Sequence, residues 1–303
     1  MPGRLPSLLL FAAFCLVSLA HAQQPVPDWQ TKAGGKLSFD VASIRLDTNG
    51  QFNPLDITPE DAYTPTGNRF TASGLTLIDY VAFAYKIWLT PSQQHTLAAG
   101  FPKWAATDKF AVEARAPIDQ PTKDQMRLML QSLLADRFHL ALHFESHDLP
   151  VLALKLDKPG KLGPQLRPHS QDLPCDKRDP VDQQHLTPEM LPCNMPMGVD
   201  TPDRQKFVGF RDVSLNHFAN FLPLVGLGDR LVVNQTGLTG TFDIAITIAF
   251  WGQNASDQAA ITPEMPGATT LQALKDQLGL KLESTRATID TPVIDHVELP
   301  SEN

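Results

Sequence analysis

Clustered basic residues, long apolar runs and cysteine are what this chain of 303 residues has least of. Lysine and arginine number 25 against 33 aspartates and glutamates, a formal net charge of −8. The basic residues are scattered, which excludes nucleic acid or an anionic membrane surface as the principal partner, because both are held by clustered positive charge. After residue 22 no apolar stretch approaches the roughly 17 to 25 residues that cross a bilayer. Of three cysteines, only Cys175 and Cys193 lie beyond the first segment. Their spacing is not that of a C-x-x-C redox or metal centre. Nucleophile elbow, H-E-x-x-H helix and phosphate-binding P-loop are all missing, so no assembled catalytic set is visible and the reading leans away from an enzyme.

The beginning of the chain is informative. Arg4 precedes an apolar core from Leu8 to Ala20, and Ala20-His21-Ala22 forms an A-x-A cleavage site, the pattern of a secretory signal peptide over residues 1–22. At 13 residues that core is too short for a membrane anchor. Phe14 before Cys15 is too bulky for a lipoprotein signal. An exported chain meets an oxidising compartment, so Cys175 and Cys193 are expected to form a disulfide.

The rest is expected to be α+β: two related α/β units from an internal duplication, with mixed or antiparallel sheets. Leu75, Leu77, Tyr80 and Phe83 recur as Val213, Leu215, Phe218 and Phe221 at a constant offset of 138. Phe110, Val112 and Ala114 answer Phe242, Ile244 and Ile246. Met126, Met129 and Leu133 answer Leu271, Leu274 and Leu278, while Phe138, Leu140, Pro150 and Val151 answer Leu280, Leu282, Pro292 and Val293.

The order in the first unit is a strand at 39–46, a helix at 75–85 capped by Thr76 or Ser73, a strand at 110–114 and a helix opened by Pro121-Thr122. A hairpin follows, with strands 138–144 and 151–156 around residues 147–150. In the second unit 242–248 alternates strictly as a strand, a helix from 269 to 278 ends at Gly279, and two strands close the chain. The divisions are a signal peptide at 1–22, a polar segment at 23–38, a first unit at 39–156, a Pro-rich connector at 157–205 and a second unit at 206–303. The connector holds nine prolines and both mature cysteines without periodicity. One continuous sheet or two packed sheets would bury the apolar faces.

Phe39-Asp40-Val41-Ala42-Ser43-Ile44-Arg45, the block 128–138, Thr236-Gly237-Leu238-Thr239-Gly240, and Val293-Ile294-Asp295-His296-Val297-Glu298 together resemble a secreted domain family of unknown function. That family is greatly expanded in Acidobacteria, and similar domains are sometimes attached to sensor metallopeptidases. The resemblance implies a bacterial periplasmic or secreted protein and carries no catalytic residues with it. Members usually place an Asp shortly before the Thr-Gly-Leu-Thr-Gly turn, where this chain has Asn234.

Histidine offers the one tempting chemistry. His139, His143 and His147 are spaced by four, but Phe138, Leu140, Leu142 and Phe144 alternate with them, so the segment is a strand. At roughly 3.3 Å per residue His139 and His143 stand about 13 Å apart, too far to share a zinc ion. His143 with Glu145 is the metal candidate, and it needs ligands from the second unit. His296 and Glu298 make a same-face ion pair. Ser146-His147-Asp148 has triad residue types in the wrong geometry, since neighbours on a strand face opposite ways. Two N-x-S/T acceptor sequences begin at Asn234 and Asn254. The reading is a non-catalytic binding or interaction module without cofactor, its partner an envelope protein, peptide or small ligand. A hydrolase using His143 and Glu145 and a structural envelope protein are the alternatives.

Overall fold

A computed structural model describes residues 27–48, 67–88, 90–170, 172, 175, 187–194, 196–201, 205–225, 230–249 and 269–300. The signal segment and the acceptor sequence at Asn254 lie outside the described residues.

The fold is α+β. After the short helix α1 (Asp28–Lys32) come β1 (Val41–Leu46), β2 (Arg69–Thr76), α2 (Leu77–Ala84), α3 (Pro91–Ala99), α4 (Lys103–Thr107), β3 (Lys109–Arg115), α5 (Lys123–Arg137) and β4 (Ala141–Leu156). Next are β5 (Leu166–Pro168), β6 (Met197–Asp200), β7 (Gln205–Ser214), α6 (Leu215–Phe221), β8 (Val232–Asn234), β9 (Thr241–Ala249), α7 (Thr270–Leu278) and β10 (Leu280–His296). They form sheets of order β1-β3-β2, β10-β4-β8 and β5-β9-β7-β6. Among the described residues the sheets are therefore three, where one or two were expected. The third exists because β4 and β10 pair with each other instead of folding back into hairpins.

Local chemistry explains most helix ends. Thr76 and Thr122 each accept from the backbone N–H three residues on and receive the side chain of Asp79 or Gln125 in return, which are complete capping boxes. Ser214 and Thr269 cap α6 and α7 singly. Thr90 with Gln93 closes a further box behind Pro91, a start signal for α3 that hydrophobic periodicity alone misses. Gly279 ends α7 in the left-handed region, φ 68°. A side chain there would stand 2.7 Å from the Gly163 nitrogen, so helix end and connector touch only because both residues are glycine.

Two cores result. The first buries Phe70, Leu77, Tyr80, Phe83, Phe110 and the α5 stripe Met126, Met129, Leu130, Leu133, Leu134. The second buries Val208, Phe210, Phe218, Phe242, Ile244, Leu274, Leu278 and Leu280. Each is centred on edge-to-face aromatics: Phe110 with Phe138 at 5.3 Å, Phe210 with Phe221 at 4.9 Å. Such pairs contribute about 1 kcal/mol beyond burial.

With α3 and α4 inserted in the first and β8 in the second, the order strand, helix, strand, helix, strand recurs in β2-α2-β3-α5-β4 and β7-α6-β9-α7-β10, with β2 antiparallel to β3 and β7 to β9. In both pairs the register breaks once, between Ala72 and Leu75 and between Phe210 and Val213. These positions are related by the offset of 138 read from sequence.

The expected hairpin around residues 147–150 is absent. β4 runs straight through Pro150, which stands opposite Arg286, and β10 runs straight through Pro292, opposite Phe144. Proline is compatible with a strand where the neighbouring edge is open, as it is at Pro150, since β8 pairs only with Leu152, Ala153 and Leu154. The same correction replaces the two closing strands by one, β10. Each long strand reaches both cores: Leu152 and Leu154 of β4 lie in the second, while Ile294 of β10 packs on the first. The stretch read as connector also contributes β5 and β6, which pair with β9 and β7.

Candidate functional site

Between the cores the β4/β10 ribbon is exposed, and alternation puts His143, Glu145 and His147 on one of its faces. The opposite strand supplies the partner. Asp295 of β10 approaches His143 Nδ1 with both carboxylate oxygens, at 2.9 and 3.0 Å. Glu145 Oε1 lies 3.5 Å from His143 Nε2, and its other oxygen 3.2 Å from His147 Nε2. At the end of the ribbon Glu298 collects His296 at 2.9 Å and His139 at 3.4 Å. The face is thus a row of imidazoles alternating with carboxylates. The hydrogen bond that the Asp295 carboxylate accepts is the main cause holding the His143 pKa above its ordinary value.

The second-unit group demanded by the sequence does arrive, as Asp295, but its geometry suits ion pairing. Asp295 and Glu145 address opposite nitrogens of one ring, so their oxygens do not converge on a common point as ligands of a metal ion do. Ser146 and Asp148 face the other way: Ser146 donates to Asp290 at 2.5 Å, and Arg286 pairs with Asp148 at 2.6 Å. No triad forms from Ser146, His147 and Asp148. The pair His296 and Glu298 is brought together as their spacing suggested. Asn234 serves a turn, its side-chain oxygen accepting from the Thr236 N–H at 3.0 Å, and so shapes the Thr-Gly-Leu-Thr-Gly segment between β8 and β9.

The sequence did not reveal a second polar cluster, at the break in β7. Cys175 and Cys193 are disulfide-bonded, with Cα atoms 5.6 Å apart. Asp212 adopts φ 57° at the bulge, and its N–H donates to Asp243 Oδ1 at 3.0 Å. The same oxygen is 2.8 Å from His169 Nδ1, and both side chains are nearly inaccessible, at 4% and 9%. Arg211, also buried, donates to the Glu189 carbonyl at 3.0 Å, and Asn194 N–H donates to the Arg211 carbonyl at 2.8 Å. The signal available was weak: Asp243 occupies a polar position in the strict alternation of β9, and only the structure shows that this position is buried.

Two α+β cores joined by a shared two-stranded ribbon, with its acid–base groups in the open, define the class of molecule. The chain belongs to the family described as a protein of unknown function, DUF3738, whose model covers residues 78–297. Neither a curated protein nor a solved structure matches it. Among the described residues no helix is long and apolar enough to cross a membrane.

Proposed function

We propose that the protein is an exported, non-catalytic recognition module of the bacterial envelope, and that the His143 face of the β4/β10 ribbon is its contact surface for a protein or peptide. The observation that carries this reading is the exposure of the imidazole–carboxylate row, whose His143 and Asp295 side chains are 43% and 49% accessible. A catalytic set gains its strength from exclusion of water and fixed dipoles around it. An open ribbon supplies neither, and it would bury little of a small molecule. It does present a long, rigid, charged strip whose ends are anchored in two cores. Export is supported by the A-x-A leader and by the disulfide.

The test is site-specific crosslinking in the native periplasm from His147, which lies on that face, with the exposed Lys275 of α7 as control. A single adduct from position 147 that disappears in Glu145→Gln and Asp295→Asn supports the reading. Turnover of peptides, esters or glycans that is abolished by His143→Ala would replace it with the hydrolase alternative. Stable self-association without another partner would favour a structural envelope protein.

A further inference from the structure

We propose that the β7 bulge carries a redox-gated metal site: when the Cys175–Cys193 bond is reduced, the two thiolates with His169 and Asp212 bind one divalent zinc-like ion. One ligand atom each of His169, Cys175 and Asp212 lies within 4.8 Å of the others. The Cys193 sulfur is bonded to that of Cys175, so it adjoins this group of three and becomes a fourth ligand once the bond opens. Two sulfurs, an imidazole nitrogen and a carboxylate oxygen are a tetrahedral ligand set for zinc.

Three features show that the site is built. Asp243 holds His169 Nδ1 at 2.8 Å in a nearly inaccessible pair, which fixes the orientation of the ring. The same carboxylate binds the Asp212 N–H, so one group positions two ligands. Asp212 itself sits at positive φ, a conformation that costs a non-glycine residue stability and that aims its side chain at the sulfurs. The Asp212 Oδ2 lies 3.4 Å from Cys175 Sγ. A disulfide sulfur has no proton to donate, so in the oxidised protein this contact is an uncompensated approach of carboxylate to sulfur. After reduction it is a thiol donor or a shared ion.

The electron balance is simple. A dithiol reductant gives two electrons and two protons to the Cys175–Cys193 bond, yielding two thiols and the reductant's own disulfide. The incoming ion then displaces both thiol protons. Zinc-bound sulfurs stand about 3.8 Å apart in a tetrahedral site of the usual bond length. The rearrangement is therefore an opening of one bond within a loop already pinned at Asn194 and at the Cys193–Arg211 bridge.

The purified full-length protein, reduced with a phosphine and kept anaerobic, should take up one cobalt ion per chain. Uptake should show a thiolate-to-cobalt charge-transfer band that zinc abolishes, and the oxidised protein should show none. Asp212→Asn, chosen because asparagine tolerates positive φ, should weaken binding at least about tenfold, and Asp243→Asn by about 10- to 100-fold. Circular dichroism of each variant in the oxidised form checks folding; should Asp243→Asn fail it, Asp212→Asn decides. Absence of the band in reduced protein overturns the site, as does unchanged affinity in Asp212→Asn. Rapid alkylation of Cys175 without metal uptake would overturn it in favour of a nucleophilic thiol.

Discussion

The two bulges occupy equivalent places in the β-α-β-α-β order but are made of different residues. In the first, Gly74 takes φ 73° and its N–H donates to Asp47 Oδ2 at 2.7 Å. The buried Tyr80 hydroxyl donates to the Phe110 carbonyl at 3.0 Å nearby. In the second, Asp212 takes φ 57°, Asp243 receives its N–H, and Phe218 stands where Tyr80 does, without a hydroxyl. Glycine adopts this conformation freely, while an L side chain does so at a cost. The backbone irregularity is thus common to both regions, each with a carboxylate accepting its N–H, and the second adds a carboxylate at the bulged residue itself, a buried imidazole and a disulfide. Strain where glycine would serve is an argument for use of the side chain.

Four experiments break or sharpen this contrast. The largest effect is expected from Asp243→Ala, which leaves the Asp212 N–H and the His169 ring without their shared buried acceptor and should cost about 3 kcal/mol in urea unfolding. Asp47→Ala, at a part-buried bond, should cost about 1 kcal/mol; equal losses would make the two bulges energetically alike. Double substitution of Cys175 and Cys193 by Ser, opening a loop of separation 18, should cost up to about 3 kcal/mol by the chain-entropy model. We expect the damage to concentrate as faster proteolysis of residues 157–205. Protease resistance unchanged there, with a collapsed fold elsewhere, would mean that the connector belongs to the core.

Smaller effects follow from backbone strain. Gly74→Ala should destabilise by about 1 kcal/mol. Asp212→Gly should be nearly neutral, because relief of strain offsets the added freedom of the unfolded chain. A marked loss in the glycine variant would show that the Asp212 carboxylate holds the fold and not a ligand. The smallest effect concerns the ribbon. Asp295 raises the His143 pKa, so this ion pair contributes fully at pH below the unfolded value of about 6.5 and is lost as pH rises through the folded value. An NMR titration should place His143 above that reference and return it toward 6.5 in Asp295→Asn; an unchanged midpoint would remove Asp295 as the cause.

Much of the architecture was legible. Thr76 and Thr122 marked helix starts because a hydroxyl there can satisfy a free N–H of the first turn. The correspondence of Phe110, Val112 and Ala114 with Phe242, Ile244 and Ile246 is the register in which β3 and β9 meet their bulged partners. Pro150 misled, because proline marks a turn locally but is compatible with a strand whose edge is open, and only the partner strand decides which applies. His143 and Glu145 were visible as same-face neighbours. Asp295 as their partner was not, since it lies 152 residues from His143.

What the sequence by itself determined is therefore local and periodic: α+β elements, their order, their caps, and a cysteine pair able to bond. Those features depend on residues a few positions apart, where backbone geometry fixes who meets whom. The tertiary structure decided that β4 and β10 pair along their length and reach both cores, and that His169, Cys175, Asp212 and Asp243 converge on one bulge. Those meetings depend on long-range strand register and on loops closing over tens of residues, for which a linear pattern carries no distance.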